Sequence, residues 1–582
     1  MRGRKSIEGG AIRRRDLLQA GGVLGAAGAM AAFVDPSAVD AAETWAQEFD
    51  VVVAGSGAAG LSAAIAATQA GASVVVLEKA ASVGGTTIKS DGAIWIPNNH
   101  HMRAAGKADP KADAIAYMAL GSYPSKFRAA QPRLGLGERE YGLIETYFDN
   151  AAAVIEAHES ANVTHWKTFE LPDYQDHSPY DRAPNSRILV PVTPDGGIGN
   201  GRELIRQLRA WVEVNKIPVL LHHEVREVRR NAQGEVIGVI AATPSGDVAI
   251  RARKAVVFGS GGYTHNPELM VNFQPGPIFG GCAVPTNQGD FIRIGALLGA
   301  KLGNMVNAWR AQLILEDALR SASVSRDIWQ VPGDSCMLVN RLGRRVVDET
   351  RDYHDRTRAH FYWDPVEQEY VNKLLFMVYD QRTAELFAGD YPLPAPSTTE
   401  SYVLTADTLP ALSQALATRL KDLEPQIGVV RLAEDFDTQL ADQVQRFNAD
   451  AKAGVDSQFG RGKYPYDAVW HTIINSVPRK DTKWPAPQGP NPTLHPLDSA
   501  GPFHAIILGA ANLDTNGGPM TDAGTRVIDA NNRPIPGLFG AGNCIASPAA
   551  AAYWGAGATI GPAMTFGTLA GRAAAAEPLK EA

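Results

Sequence analysis

The sequence predicts an α/β fold whose parallel sheet the chain leaves and later re-enters, and three stretches carry that prediction. FDVVVAGSGAAGLSAAIAATQAGASVVVLEKA (residues 49–80) alternates apolar runs with a glycine turn. KAVVFGSGGYTHNPELM (254–270) supplies another apolar run and glycine turn, and PIPGLFGAGNCIAS (534–547) repeats the pattern near the far end of the chain. Short, wholly apolar runs bounded by glycine are the signature of strands buried on both faces of a parallel sheet.

In the first stretch Val51–Ala54 reads as a strand, Ala58–Gln69 as a helix packed by small residues, and Ala72–Leu77 as the next strand. Gly55, Gly57 and Gly60 form GxGxxG between strand and helix. They provide a tight turn, room for a pyrophosphate, and close helix–sheet packing, with Ala58 and Ala59 opening the helix whose positive end faces the diphosphate. Glu78, followed by Lys79, ends the second strand where an acid accepts hydrogen bonds from an adenosine ribose. Gly84, Gly85, Thr86 and Thr87 then form a second loop of backbone and hydroxyl donors, as a larger flavin dinucleotide requires. Gly259 follows the apolar run of the middle stretch, and Gly542 and Asn543 follow that of the last. A nucleotide fold completed by so distant a strand suits a flavin domain with an insertion better than a continuous NAD domain. The cofactor read from these residues is FAD.

The organisation expected is a leader over 1–45, a Rossmann-like FAD-binding domain over 46–279 and 498–582, and an α+β catalytic cap over 280–497, with the site between them. The leader combines a basic head ending in Arg14 and Arg15, an apolar run from Leu17 to Phe33, and small residues through Ala42. That pattern reads as a twin-arginine signal of a bacterial protein exported to the periplasm, envelope or exterior. The run is short and mostly Ala and Gly, so a stable transmembrane segment in the mature chain is not expected.

Of 582 residues, 45% are hydrophobic and 20% charged, an ordinary globular composition. A formal net charge of -7 provides no basic field for nucleic acid. Cys282, Cys336 and Cys544 are far apart and odd in number, which excludes a disulfide framework or a paired-cysteine metal site. His100 and His101 are adjacent without a nearby acid in sequence, so no metal site is expected.

Beyond the leader, the chain resembles the 3-ketosteroid Δ1-dehydrogenases, within the flavoprotein group that includes fumarate reductases. The resemblance rests on GGTT…GAIWIPNN (84–99), LPDY (171–174), GRRVVDETRDY (343–353), RFNADAKAGVDSQFGRGKYPYDAVW (446–470), GPFHA (501–505) and TNGGPMTD (515–522). It implies that Tyr553 and Gly557, in YWGAG, hold the ketone oxygen. It further implies that Tyr353 removes a proton alpha to the ketone and that Tyr174 raises the reactivity of Tyr353. Oxidation would yield an α,β-unsaturated ketone, and an external acceptor such as a quinone would take the electrons.

Departures from the family pattern leave the ring system open. Trp554 stands where prolines are usual, and Arg351 and Asp352 add charge beside the expected base. A shortened pocket, or Arg351 paired with a carboxylate, would suit a smaller or acidic cyclic ketone such as an oxocyclohexane carboxylate. His504 is open to a pocket role or to core packing. A fumarate-reductase-like reaction is disfavoured, since no arginine lies between Arg533 and Arg572 and no histidine follows His504.

Overall fold

The computed structural model describes residues 44–183, 185–473, 478–485 and 489–581. The leader expectation falls on 1–45, almost wholly outside them. No helix among the described residues is long and apolar enough to cross a membrane.

Residues expected as a strand, helix and strand fold as Gln47–Ala54, Ala58–Gln69 and Val74–Leu77. Val51, Val52 and Val53 are fully buried, which explains a run with no polar alternation. The eight-stranded sheet runs in the order Arg526–Ile528, Pro534–Gly540, Gly246–Phe258, Gln47–Ala54, Val74–Leu77, Val219–Leu220, with Val236–Thr243 and Glu224–Arg230 added as an antiparallel extension of Gly246–Phe258. The late strand Pro534–Gly540 pairs in parallel with Gly246–Phe258, Leu538 opposite Val256. Helix Ile560–Ala576 then lies against Ala58–Gln69 at backbone contact: a Cβ on Gly571 would stand 2.1 Å from the Ala63 carbonyl oxygen, and one on Gly567 2.4 Å from that of Ala59.

A second sheet of five strands is antiparallel throughout. Ala308–Ile314, Phe503–Thr515, Leu374–Asp380 and Cys336–Val339 lie in that order, with Val403–Ala406 also on Phe503–Thr515. Leu409–Ile427 and Phe436–Ala453 cover it through Leu412, Leu416, Leu440 and Phe447. This second unit combines an antiparallel sheet with helices.

Two elements pack on the other side of the expected bounds at 279/280 and 497/498. Helix Asp290–Leu297 belongs to the first core, because Phe291 stacks on Phe258 at 4.0 Å and packs with Val52, Val75 and Leu538. Strand Phe503–Thr515 is the centre of the second sheet, so the chain re-enters the first sheet only after Thr515. A long apolar strand does not reveal in sequence which sheet it joins.

Candidate active site

One cavity runs from the glycine turns of the first sheet to the tyrosines of the second unit. Gly55, Gly57, Ala58, Ala59, Glu78, Lys79, Gly85, Thr86, Thr87, Gly259, Gly542 and Asn543 line it, together with Tyr174, Tyr353, Tyr553 and Gly557. Gly60 and Gly84 stand behind this wall. A Cβ on Gly60 would meet the Gly55 carbonyl oxygen at 1.9 Å, and Gly84 holds φ +123° ahead of Gly85–Lys89.

The wall is shaped for a dinucleotide. Gly55 has φ +103° and lies so near Gly259 that a Cβ would be 2.5 Å from its carbonyl oxygen. At Gly57 a Cβ would enter open cavity, with Thr87 Oγ1 at 3.7 Å as its nearest neighbour. This leaves room for a phosphate at the start of a twelve-residue helix. Glu78 Oε2 accepts from the Ser56 amide (3.0 Å) and hydroxyl (2.6 Å), and Oε1 from the Ala80 amide (2.8 Å), which fixes the acid at the strand end. Thr87 Oγ1 accepts from the Ala58 amide, and Lys79 is paired with Asp290 at 2.7 Å. Asn543 accepts from the Trp309 indole and donates to Asp514. The buried carboxylate of Asp514 also accepts from the Gly262 amide, the Thr264 hydroxyl and Asn287, joining both glycine turns. The sequence does not single out Asp514, because its partners Gly262, Thr264 and Asn287 lie more than 200 residues away along the chain.

Tyr174, Tyr353 and Tyr553 come together from three segments. Their ring centroids are 5.4 Å apart for Tyr174–Tyr353, 5.5 Å for Tyr353–Tyr553 and 5.1 Å for Tyr174–Tyr553, all edge-on. The Tyr174 and Tyr353 hydroxyls are hydrogen-bonded at 2.7 Å. Tyr353 begins helix Tyr353–Arg358, capped by the Asp352 carboxylate on the Asp355 amide. Tyr174 is held through its amide, which donates to the Trp554 carbonyl at 3.3 Å, so the tyrosine loop and the YWGAG turn are pinned together. Gly557 has φ +89°, and a Cβ would lie 2.5 Å from the Ala93 backbone. Its amide donates to no protein acceptor among the described residues. Burial raises the Tyr174 and Tyr353 phenols well above their ordinary value, and pushes Tyr553 up to about 12 despite the neighbouring Tyr353 and Thr559 hydroxyls. All three are neutral donors at ordinary pH.

Trp554 and Arg351 do not take the parts expected of them. Trp554 does not narrow the cavity: it is fully buried behind it, with Nε1 donating to Ser122 Oγ at 3.0 Å and the ring against Trp95 and Tyr147. Trp309, Trp329, Trp470 and Phe169 line the cavity instead. Arg351 is not free for a substrate anion, since it pairs with Asp467 (2.8 Å) and Asp176 (3.0 Å) and donates to the Tyr174 carbonyl. His504 lies in the second sheet, bonded to Thr405 and Gln381 and stacked on Tyr379. His100 and His101 do have an acid: Glu159, distant in sequence, places three possible ligand atoms within 4.8 Å. Glu159 also accepts from the Trp166 amide and pairs with both imidazoles.

Lys89 was missed as well. It lines the cavity and its Nζ donates to the Val324 carbonyl at 2.9 Å, with no carboxylate within ion-pair distance among the described residues. Asp91 lines the cavity with its side chain exposed, and its carboxyl is pushed up to about 6 by desolvation, opposed by Arg326.

Residues 50–560 match the family model described as FAD binding domain. The chain is 33% identical to 4-oxocyclohexanecarboxylate 2-dehydrogenase of Sinomonas cyclohexanicum, over 91% of this chain and 93% of that protein. It is 29% identical to 3-oxosteroid 1-dehydrogenase of Mycolicibacterium smegmatis, over 90% and 96%. In fold it is similar to 3-ketosteroid delta1-dehydrogenase from Sterolibacterium denitrificans, with TM-score 0.76, 24% identity, and coverage of 91% of this chain and 100% of that one.

Proposed function

The chain belongs to the FAD-binding-domain family, and from that premise we propose that it desaturates a cyclic ketone next to its carbonyl, with the tyrosine cluster as its chemical centre. The observation that carries the reading is the single cavity lined by both the dinucleotide cradle and Tyr174, Tyr353, Tyr553 and Gly557. Bound FAD supplies the hydride acceptor for the beta carbon. In this reading the Tyr553 hydroxyl and the Gly557 amide receive the ketone oxygen and stabilise the charge that develops there. Tyr353 takes the alpha proton, and its hydrogen bond with Tyr174 supports the phenol as it changes protonation. The aromatic wall of Trp309, Trp329, Trp470 and Phe169 excludes water around the ring.

A second reading of the substrate is an acidic monocyclic ketone. The relative named 4-oxocyclohexanecarboxylate 2-dehydrogenase supports it, and Lys89 lines the cavity without a carboxylate partner among the described residues. A quinone-like acceptor for the electrons and export through the twin-arginine route complete the proposal. The basic head and apolar run at residues 2–33 support the latter.

Anaerobic bleaching of the flavin tests these readings. A 3-ketosteroid and 4-oxocyclohexanecarboxylate are each mixed with the oxidised enzyme, and reduction by neither would reject ketone desaturation. Lys89→Met should weaken the acidic ketone at least ~10-fold and leave a steroid unaffected if Lys89 docks the carboxylate.

A further inference from the structure

The tyrosine cluster contains an acid that the proposed reaction has not used. Asp352 is 1% exposed and immediately precedes Tyr353. Its Oδ1 caps the helix, while Oδ2 is buried without a hydrogen-bond partner. The Tyr466 hydroxyl, on a fully buried side chain, is likewise unpartnered. Tyr466 packs edge-on against Tyr174 at 5.4 Å, which in turn bonds Tyr353. Buried polar atoms are rarely left unpaired unless water or a proton-transfer role accounts for them. Both atoms belong to residues that adjoin the hydrogen-bonded phenol pair, Asp352 next to Tyr353 in the chain and Tyr466 in ring contact with Tyr174.

We propose that Asp352 is the terminal proton acceptor of the tyrosine pair, reached from Tyr174 past the Tyr466 hydroxyl with ordered water completing the path. The proposal rests on the ketone-desaturase reading. In the step, the substrate's alpha C–H bond breaks and its electron pair stays on the substrate as an enolate. The proton bonds to Tyr353 Oη as the phenol's own proton passes to Tyr174. Tyr174 releases its proton along the path, and a carboxyl O–H forms on Asp352. The carboxyl re-ionises before the next turnover. Asp352 touches no reacting atom; it acts through the two phenols.

The surroundings suit this duty. Burial raises the Asp352 carboxyl to about 7, with Asp355 adding to the shift and Arg351 and Arg356 opposing it. The phenols that feel its charge are Tyr174 and Tyr466. Neither arginine neutralises it by contact: Arg351 is committed to Asp176 and Asp467, and Arg356 to Gln312 and three backbone carbonyls. Its ionised form therefore gains population as pH rises through neutrality, and the rate should rise with it.

Asp352→Asn separates this role from helix capping, because an asparagine oxygen still accepts from the Asp355 amide but the side chain takes no proton. Wild-type flavin reduction by a cyclic ketone should slow as pH falls below about 7. D352N, with unchanged melting temperature and KM, should be at least ~10-fold slower above neutrality and lack that limb. Asp352→Ser, a second capping variant, should behave the same way. An equal rate and pH profile in either folded variant would overturn the proposal. Infrared difference spectra provide a readout without turnover: a carboxyl band titrating near neutrality, absent from D352N, supports a proton-accepting Asp352. Lack of that band in wild type rejects the relay whether or not a ketone reduces the enzyme, whereas its presence with no reducing ketone rejects only the substrate reading.

Discussion

In the proposed reaction the three phenols in edge contact do different work, and single-atom changes separate them. Tyr353→Phe keeps the ring in its triangle with Tyr174 and Tyr553, so ketone binding should persist while flavin reduction slows at least ~100-fold. Tyr553→Phe should weaken enone binding as well as reduction, because one hydroxyl serves both. Perturbation of the flavin spectrum by a product-like enone measures binding apart from turnover. Gly557→Ala combines a positive φ with a Cβ 2.5 Å from the Ala93 backbone, and should cost about 1–3 kcal/mol of stability from backbone strain alone. Chemical denaturation reads that loss, and reduction kinetics read the displaced amide. The tyrosines were legible in sequence through motif resemblance, whereas Lys89, Asp91 and Asp514 were not. A lysine in a loop has no sequence mark of facing a cavity, and the partners of Asp514 are assembled only by the fold.

At the scale of elements, the approach of Ala58–Gln69 and Ile560–Ala576 determines how the dinucleotide wall closes. Gly571→Ala puts a methyl 2.1 Å from the Ala63 carbonyl, so the helices must separate. The expected loss is about 1–3 kcal/mol from overpacking, with weaker FAD retention after gel filtration. An unchanged melting temperature would mean that the helices have slack. The first strand–helix–strand unit was legible because local periodicity and glycine spacing specify it. The fate of Phe503–Thr515 was not, because pairing with Ala308–Ile314 and Leu374–Asp380 is a long-range choice. The same limit concealed Glu159 behind His100 and His101.

Across the whole molecule, buried charge fastens the segment that carries Tyr353. Glu349 bonds Arg345 twice (3.0 and 2.8 Å) and Arg461 at 3.2 Å, and Arg345 also grips Asp456. Burial opposes the Glu349 charge, but the two guanidiniums outweigh it and hold the carboxyl below its usual range. A depressed folded value means that this stability is present above the unfolded pKa and is lost as pH falls through the folded one. Glu349→Ala leaves two buried guanidiniums short of a partner and should cost about 3–5 kcal/mol. Glu349→Gln should also remove part of the loss in melting temperature on acidification. An acid limb identical to wild type would show that other carboxylates govern it.

The split first sheet also has a kinetic consequence. Gly246–Phe258 can pair with Gln47–Ala54 early in synthesis, but its other neighbour, Pro534–Gly540, and the helix that covers Ala58–Gln69 are made only near the end. Contacts of such sequence separation are slow to form, and the unpaired edge is exposed while they do. The flavin cradle is therefore among the last parts of the molecule to mature. Supply of FAD then governs the yield of active enzyme after the ribosome has finished, and cells short of flavin should accumulate a full-length chain that proteases still recognise as unfinished.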